Sequence, residues 1–177
     1  MRNRIITISL LVGVLVVLGF RMTPDNQENE EIFTIYLVRH AEKDLNSSNP
    51  SDPPLTPCGE ERSEMISQFL SHIELDAIYS TEYSRTKSTA QPTADIKSMS
   101  IESYDPRALS EFASTLIQNK EDALVVGHSN TTAVLAGLLV GEELGAFDES
   151  IYNRIYQVVI HKESGRLHVF HTAFSCE

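Results

Sequence analysis

Residues 33–42, FTIYLVRHAE, set a β-rich run directly ahead of Arg39 and His40, and this junction decides how the rest of the chain is read. Phe, Ile, Tyr and Val suit a pleated, half-buried backbone, so 33–38 is predicted to be a strand with two nitrogen-rich side chains at its carboxyl end. Residues 41–57 contain four prolines, two asparagines and three serines and read as a long loop. Thr56-Pro57 then opens a helix, with Thr as N-cap and Pro at the first helical position. Its expected buried stripe is Met65, Ile66, Phe69, Leu70 and Ile73. A second strand over 75–80 is followed by a helix from about residue 81, which Pro92 is expected to end or kink.

The second half repeats the alternation. A short strand over 100–104 is closed by Asp105-Pro106, read as another N-cap and first-position Pro pair. The helix after it places Leu109, Phe112, Ala113, Leu116 and Ile117 on one face. Residues 123–127 form a buried strand, and the apolar segment 132–140 a helix stopped by Gly141. Residues 152–161 and 166–174 read as two strands joined through Glu163, Ser164 and Gly165. The expected architecture is an α/β three-layer sandwich: a mostly parallel central sheet, helices on both faces, and a C-terminal antiparallel hairpin.

At 177 residues, with 41% hydrophobic and 22% charged, the composition is that of one globular domain. The chain carries 14 Lys and Arg against 25 Asp and Glu, a net charge of −11, which argues against a nucleic-acid partner. The charge is unevenly spread. Arg2, Arg4 and Arg21 leave the first 22 residues without an acid, so eleven basic residues face 25 acidic ones in the remainder, a net −14. Between them, residues 5–20 are apolar apart from Thr7, Ser9 and two glycines. Basic residues ahead of such a run read as a secretory signal or an N-terminal anchor. The run is a little shorter than the roughly 20 residues that cross a bilayer core, and the small-residue cleavage pattern after it is poor, which leaves cleavage open. Positive charge ahead of the run, with acids after it, sends the body outward. The chain therefore divides into a signal or anchor segment at 1–22, a polar linker at 23–31 and a domain at 32–177. That domain is expected to be exported, periplasmic or otherwise extracytoplasmic, and to meet the membrane through its N-terminal segment. Two cysteines, Cys58 and Cys176, are too few for a disulfide framework or a four-thiolate zinc site. Whether they pair in an oxidising compartment is left open.

Four side chains fall where an α/β sheet builds its active site, at the carboxyl ends of strands. Arg39 and His40 end the first strand, Arg85 lies in the first turn of the helix after the second, and His128 ends the fourth. Arginine offers a planar fork of donors matched to phosphate oxygens. A neutral imidazole can attack phosphorus and carry the group covalently, and a second one can donate to the oxygens as charge builds there. The pattern points to phosphoryl transfer.

On these residues the chain resembles the histidine phosphatase superfamily, the phosphoglycerate-mutase-like proteins. Leu37-Val38-Arg39-His40-Ala41-Glu42 looks like the family's R-H-G or R-H-A signature, and Leu55-Thr56-Pro57 with Gly59 like its L-T-x-x-G helix start. Residues 80–90, STEYSRTKSTA, are similar to its S-x-x-x-R-x-x-x-T-A segment, and residues 125–130, VVGHSN, to its second-histidine motif. The resemblance spans about 33–141 and leans toward the small phosphohistidine-phosphatase type. It implies that His40 is the phosphorylated nucleophile, that Arg39 and Arg85 grip the phosphoryl oxygens, that His128 stabilises the transferring group, and that no metal or organic cofactor is used. Ser129 joins Arg39 and Arg85 as a substrate-binding candidate. Relatives often place an acid after the third strand to protonate the leaving oxygen. Asp105 has that position, although it also suits an N-cap, and Glu111 and Glu82 stand nearby. The implied partner is a phosphorylated small molecule, an envelope sugar or a phosphoprotein.

Two other readings compete. Residues 127–131, GHSNT, resemble a nucleophile elbow with Ser129 as a serine-hydrolase nucleophile, and Asp148 with His161, His168 or His171 completes the order. Against it, Thr131 stands where the sharp turn wants Gly, and Arg39, His40 and Arg85 go unexplained. A non-catalytic anion-binding domain would keep the same cationic residues without turnover. His168 and His171, three apart on a strand, point to opposite faces and make a poor metal pair. His72, near a helix end, suits that terminus's dipole.

Overall fold

The computed structural model describes residues 32–162 and 164–176; the segment expected to anchor the chain, 1–22, and the linker, 23–31, lie outside the described residues. Strand β1 (Ile32–Arg39) runs through the middle of a six-stranded sheet of order β3-β2-β4-β1-β5-β6. It is parallel to β4 (Ala123–Gly127) on one side and antiparallel to β5 (Arg154–His161) on the other. Beyond β4 lie β2 (Ala77–Ser80) and the two-residue β3 (Glu102–Ser103), both parallel. Beyond β5 lies β6 (Ser164–His171), the antiparallel hairpin partner. The expected architecture is present: a mostly parallel sheet that ends in a hairpin.

Helices cover both faces. Helices α1 (Pro57–Phe69) and α2 (Ser84–Lys97) pack with Tyr36, Val38, Ile78, Leu124 and Val126 on one side. Helices α3 (Leu109–Asn119) and α4 (Thr132–Val140) pack with Phe33, Ile35, Leu37, Tyr79 and Val125 on the other. Successive β1 residues thus feed two separate cores, which is why the run carries no alternation of polar residues. Among the described residues no helix is long and apolar enough to cross a membrane.

Local chemistry explains the helix ends. Thr56 caps α1, its hydroxyl accepting from the Gly59 N–H at 3.0 Å. Gly59 lies so close to the Glu42 backbone that a Cβ would stand 2.4 Å from the Glu42 carbonyl oxygen. Gly141 ends α4 at φ 72°, where a side chain would be strained.

Several expectations need correction. Phe69, expected in the α1 stripe, is exposed: Ile66 and Leu70 take the buried face, and the Phe69 ring lies beside Phe170. Ile117 is likewise outside the α3 core. Pro92 does not end α2, which continues to Lys97. Buried Thr89, Ala90, Thr93 and Ala94 bracket the proline and hold both halves against the sheet. Asp105-Pro106 does not start α3: Asp105 instead closes a turn onto the Arg107 N–H, and Ala108 is the N-cap. The pairing left open for the two cysteines is made: Cys58 and Cys176 are joined in a disulfide with Cα atoms 5.8 Å apart, 118 positions apart in sequence.

Candidate active site

Sheet register assembles the site. Arg39 pairs with Gly127, so His40 and His128 leave adjacent strands side by side, and Ser80 pairs with Val126 one step away. The His40 N–H donates to the Gly127 carbonyl at 2.9 Å. The cavity at this sheet end holds about 320 Å3 and is walled by Arg39, His40, Arg85, His128, Ser129 and the start of α4, with Lys43, Tyr83, Arg107 and Glu149 at its margin. Four cations against one carboxylate make it a cationic hollow on an acidic protein.

His40 is buried, and its Nδ1 lies 2.7 Å from the Ala41 carbonyl oxygen. A carbonyl only accepts, so Nδ1 carries the proton and Nε2 keeps its lone pair. Burial, then the charges of Arg39, His128 and Arg85, hold the imidazole pKa well below its ordinary 6.5, at about 3. His128 is pushed down to about 4 by burial, then by Arg85, Arg39 and Lys43. Its Nε2 meets the hydroxyl of fully buried Thr81 at 3.1 Å, and its backbone N–H donates to Thr131 Oγ1 at 2.9 Å. Tyr83 packs edge-on against the His128 ring at 5.2 Å.

The two arginines are anchored differently. Arg39 Nη1 donates to the carbonyls of Glu149 and Ile151, while Nη2 reaches the Tyr152 hydroxyl at 3.3 Å; the guanidinium lies 4.0 Å above that ring. Arg85 Nη1 sits 3.4 Å from Asp52, whose carboxylate also accepts from the Ser84 N–H at the start of α2. Its guanidinium covers Tyr83 at 4.2 Å. The Nε groups of both arginines are buried without a hydrogen-bond partner. Both guanidinium groups line the cavity, where their charge favours an anion. The start of α4 adds the positive end of its dipole.

Arg39, His40, Arg85, His128 and Ser129 thus come together as the sequence predicts. Asp105 does not join them. It stands at a neighbouring cavity of about 590 Å3 that shares Tyr83, Pro106 and Arg107 with the first. Arg107 grips it at 2.9 Å and holds its carboxyl below the usual carboxylate range. Glu82 is tied to Lys87 and to the Ser103 hydroxyl, and Glu111 lies on α3 outside the central cavity. The serine-hydrolase constellation is not assembled: exposed Asp148 bonds to Ser150, and His161 pairs with Ile32 at the opposite end of β1 from Arg39. His168 and His171 lie on edge strand β6, away from the cavity. Sequence reasoning missed Asp52, Tyr152, Glu149 and Thr81. Asp52 and Glu149 sit in loops whose composition carries no periodic signal, Tyr152 was read as opening a strand that starts only at Arg154, and Thr81 directly follows β2. Glu42, Cys58 and Cys176 form one close group of ligand-type residues among the described ones. The disulfide and the Arg62 ion pair already engage them, so they do not fit a metal.

Residues 35–113 match the family described as the histidine phosphatase superfamily, branch 1. No functionally curated protein matches the chain by sequence. Among solved structures, the protein histidine phosphatase SixA complexed with tungstate is similar at TM-score 0.66 and 18% identity, over 78% of this chain and 97% of that one. An alpha-ribazole phosphatase from Shigella flexneri gives 0.64 and 16%, over 82% and 100%. A mycobacterial glucosyl-3-phosphoglycerate phosphatase gives 0.65 and 13%, over 80% and 100%. At these identities the likeness establishes the fold.

Proposed function

We propose, from the premise that this chain belongs to the histidine phosphatase superfamily, that it hydrolyses phosphoric monoesters through a phosphorylated His40. The observation that carries the proposal is the contact of His40 Nδ1 with the Ala41 carbonyl, which leaves the Nε2 lone pair free on a residue that lines a cavity with two arginines. In the first step Nε2 bonds to phosphorus as the bond from phosphorus to the leaving oxygen breaks, and that oxygen takes a proton. In the second, water attacks phosphorus, loses a proton and releases phosphate, returning His40 to its neutral form. Arg39 and Arg85 hold the equatorial oxygens and His128 donates to them as charge develops. Glu149, at the cavity margin with its carboxylate 3.8 Å from Lys43, borders the phosphoryl cavity where Asp105 does not, and we assign it to donate the proton and later to accept one from water.

The leaving group extends toward the neighbouring cavity, which has room for the body of a phosphorylated small molecule beside Tyr83 and Tyr104. The named neighbours act on such molecules or on phosphohistidine proteins. Residues 32–177 form the catalytic domain, exported and tethered by residues 5–20 through the linker 23–31. An envelope sugar phosphate is then the substrate class of choice. Two features support export: the charge asymmetry around residues 5–20, and a Cys58–Cys176 disulfide of the kind that persists in oxidising compartments.

The test is hydrolysis of p-nitrophenyl phosphate by the full chain, beside His40→Ala and Ser129→Ala, with and without vanadate. Turnover that is lost with His40, kept in large part with Ser129→Ala and blocked by vanadate is the expected result. Full activity in His40→Ala refutes the nucleophile. Phosphate binding with no turnover on any phosphomonoester returns the anion-binding domain.

A further inference from the structure

Arg62 belongs to none of the motifs read from the sequence, yet it is buried at 3% exposure, directly behind the nucleophile loop. Its Nε donates to both carboxylate oxygens of Glu42 at 2.9 Å, and Nη2 to one of them at 2.7 Å. The other side of the guanidinium belongs to the C-terminal tail: Nη1 donates to the Phe174 carbonyl at 3.4 Å, and the Phe174 ring covers the group at 4.8 Å. Two residues on, Cys176 is bonded to Cys58, which lies one turn before Arg62 on the same helix.

Glu42 is also held through its backbone. Its carbonyl accepts the Thr56 N–H at 2.8 Å, and Gly59 presses against it. The peptide unit between Ala41 and Glu42 is planar, so the Ala41 carbonyl cannot turn without turning the Glu42 N–H. That carbonyl is the acceptor for His40 Nδ1.

We infer that the C-terminal tail is a strap that positions the nucleophile: the disulfide and Phe174 keep Arg62 dry against Glu42, Glu42 fixes the peptide that follows Ala41, and the Ala41 carbonyl selects the His40 tautomer. Cys58, Cys176, Phe174, Arg62 and Glu42 are positioning residues, and none touches the cavity. The inference rests on the reading of His40 as nucleophile. Loosening the tail admits water to the Arg62–Glu42 pair, weakens it, and frees the peptide to rotate. With its acceptor gone, His40 also samples the form protonated at Nε2, which has no lone pair to offer phosphorus.

The experiment uses the full chain and two variants, Cys58→Ser with Cys176→Ser, and Phe174→Ala, which keeps the disulfide. Imidazole nitrogen shifts of His40 by NMR give the tautomer, near-ultraviolet circular dichroism reports the fold, and p-nitrophenyl phosphate gives kcat and KM. Both variants are expected to stay folded, to show the Nε2-protonated form of His40, and to lose about tenfold in kcat with KM within about twofold. Reducing the wild type should move it the same way, and reductant should leave the double serine variant unchanged. An unaltered His40 tautomer in both variants overturns the strap, whether or not activity falls, and so does loss of the fold in both. A wild-type chain with no His40-dependent turnover defeats the nucleophile reading instead, and the tautomer still decides the strap.

Discussion

The imidazoles of His40 and His128 meet edge to face, with centroids 5.4 Å apart and planes inclined at 69°. Two imidazolium ions this close, with Arg39 and Arg85 beside them, would repel strongly. Two neutral rings do not, and burial with those same arginines keeps both neutral. The neutral state leaves the His40 ring able to attack and the His128 ring with one N–H to donate.

This has a pH signature. On the histidine side, kcat/KM for an aryl phosphate should be flat down to about pH 4 and fall below it, as His128 and then His40 take up protons. A limb centred near 6.5 would contradict the neutral pair. Stability carries the matching sign. Both folded pKa values lie below the unfolded 6.5, so below that pH the unfolded chain binds more protons. Stability is full above about 6.5 and declines as pH falls toward 4 and then 3. The ceiling is about 1.4 kcal/mol per pH unit for His40, and less for His128, which water reaches. Urea melts at pH 7, 6 and 5 measure the slope.

Arg85→Lys should cost on the order of 100-fold in kcat/KM with the fold intact, since an ammonium cannot replace a fork aimed from Tyr83 and Asp52. Asp52→Asn, which keeps an acceptor for the Ser84 N–H, should cost much less. Steady-state kinetics on one aryl phosphate compares them. Equal losses would mean that the carboxylate, not the fork, sets the geometry.

Proton donation is separable by leaving group. Glu149→Gln should slow an alkyl phosphate by on the order of 100-fold and an aryl phosphate far less, because phenolate departs without a proton. Asp105→Asn should alter neither by more than about threefold, since Asp105 is tied to Arg107 outside the phosphoryl cavity. The reverse pattern would restore Asp105 as the acid.

Gly59→Ala should destabilise the domain by about 1–3 kcal/mol, because its Cβ would be driven into the Glu42 backbone, 2.4 Å from the carbonyl oxygen. Thermal melts monitor the loss. An unchanged midpoint would show that α1 slides away at no cost.

The strand ends, and with them the two arginines and two histidines, were legible because β-rich runs stop where the chemistry-bearing residues begin. Helix α4 was legible for the same kind of reason: an unbroken apolar segment followed by Gly141 has few other folds available. Pro92 misled because the proline penalty is local, whereas Thr89, Ala90, Thr93 and Ala94 bury on either side of it. Phe69 misled because it lies on the flank of the core-facing Ile66, Leu70 and Ile73 stripe, where its ring turns to Phe170 on the surface. The supports of the site were the hardest to read. Tyr152 and Glu149 reach Arg39 from more than 100 residues away, and Asp52 sits in a proline-rich loop, so only the folded chain makes them neighbours.

The Cys58–Cys176 bond closes most of the domain into a covalent ring and leaves β1 outside it. Yet β1 is the strand clasped between β4 and β5 at the middle of the sheet. A pull on the chain through residue 32 therefore cannot peel an edge. It must shear the central strand from two neighbours at once while the ring limits how far the remainder extends. Mechanical strength therefore lies in the same strand that delivers Arg39 and His40, so a force that breaks the sheet there also dismantles the site.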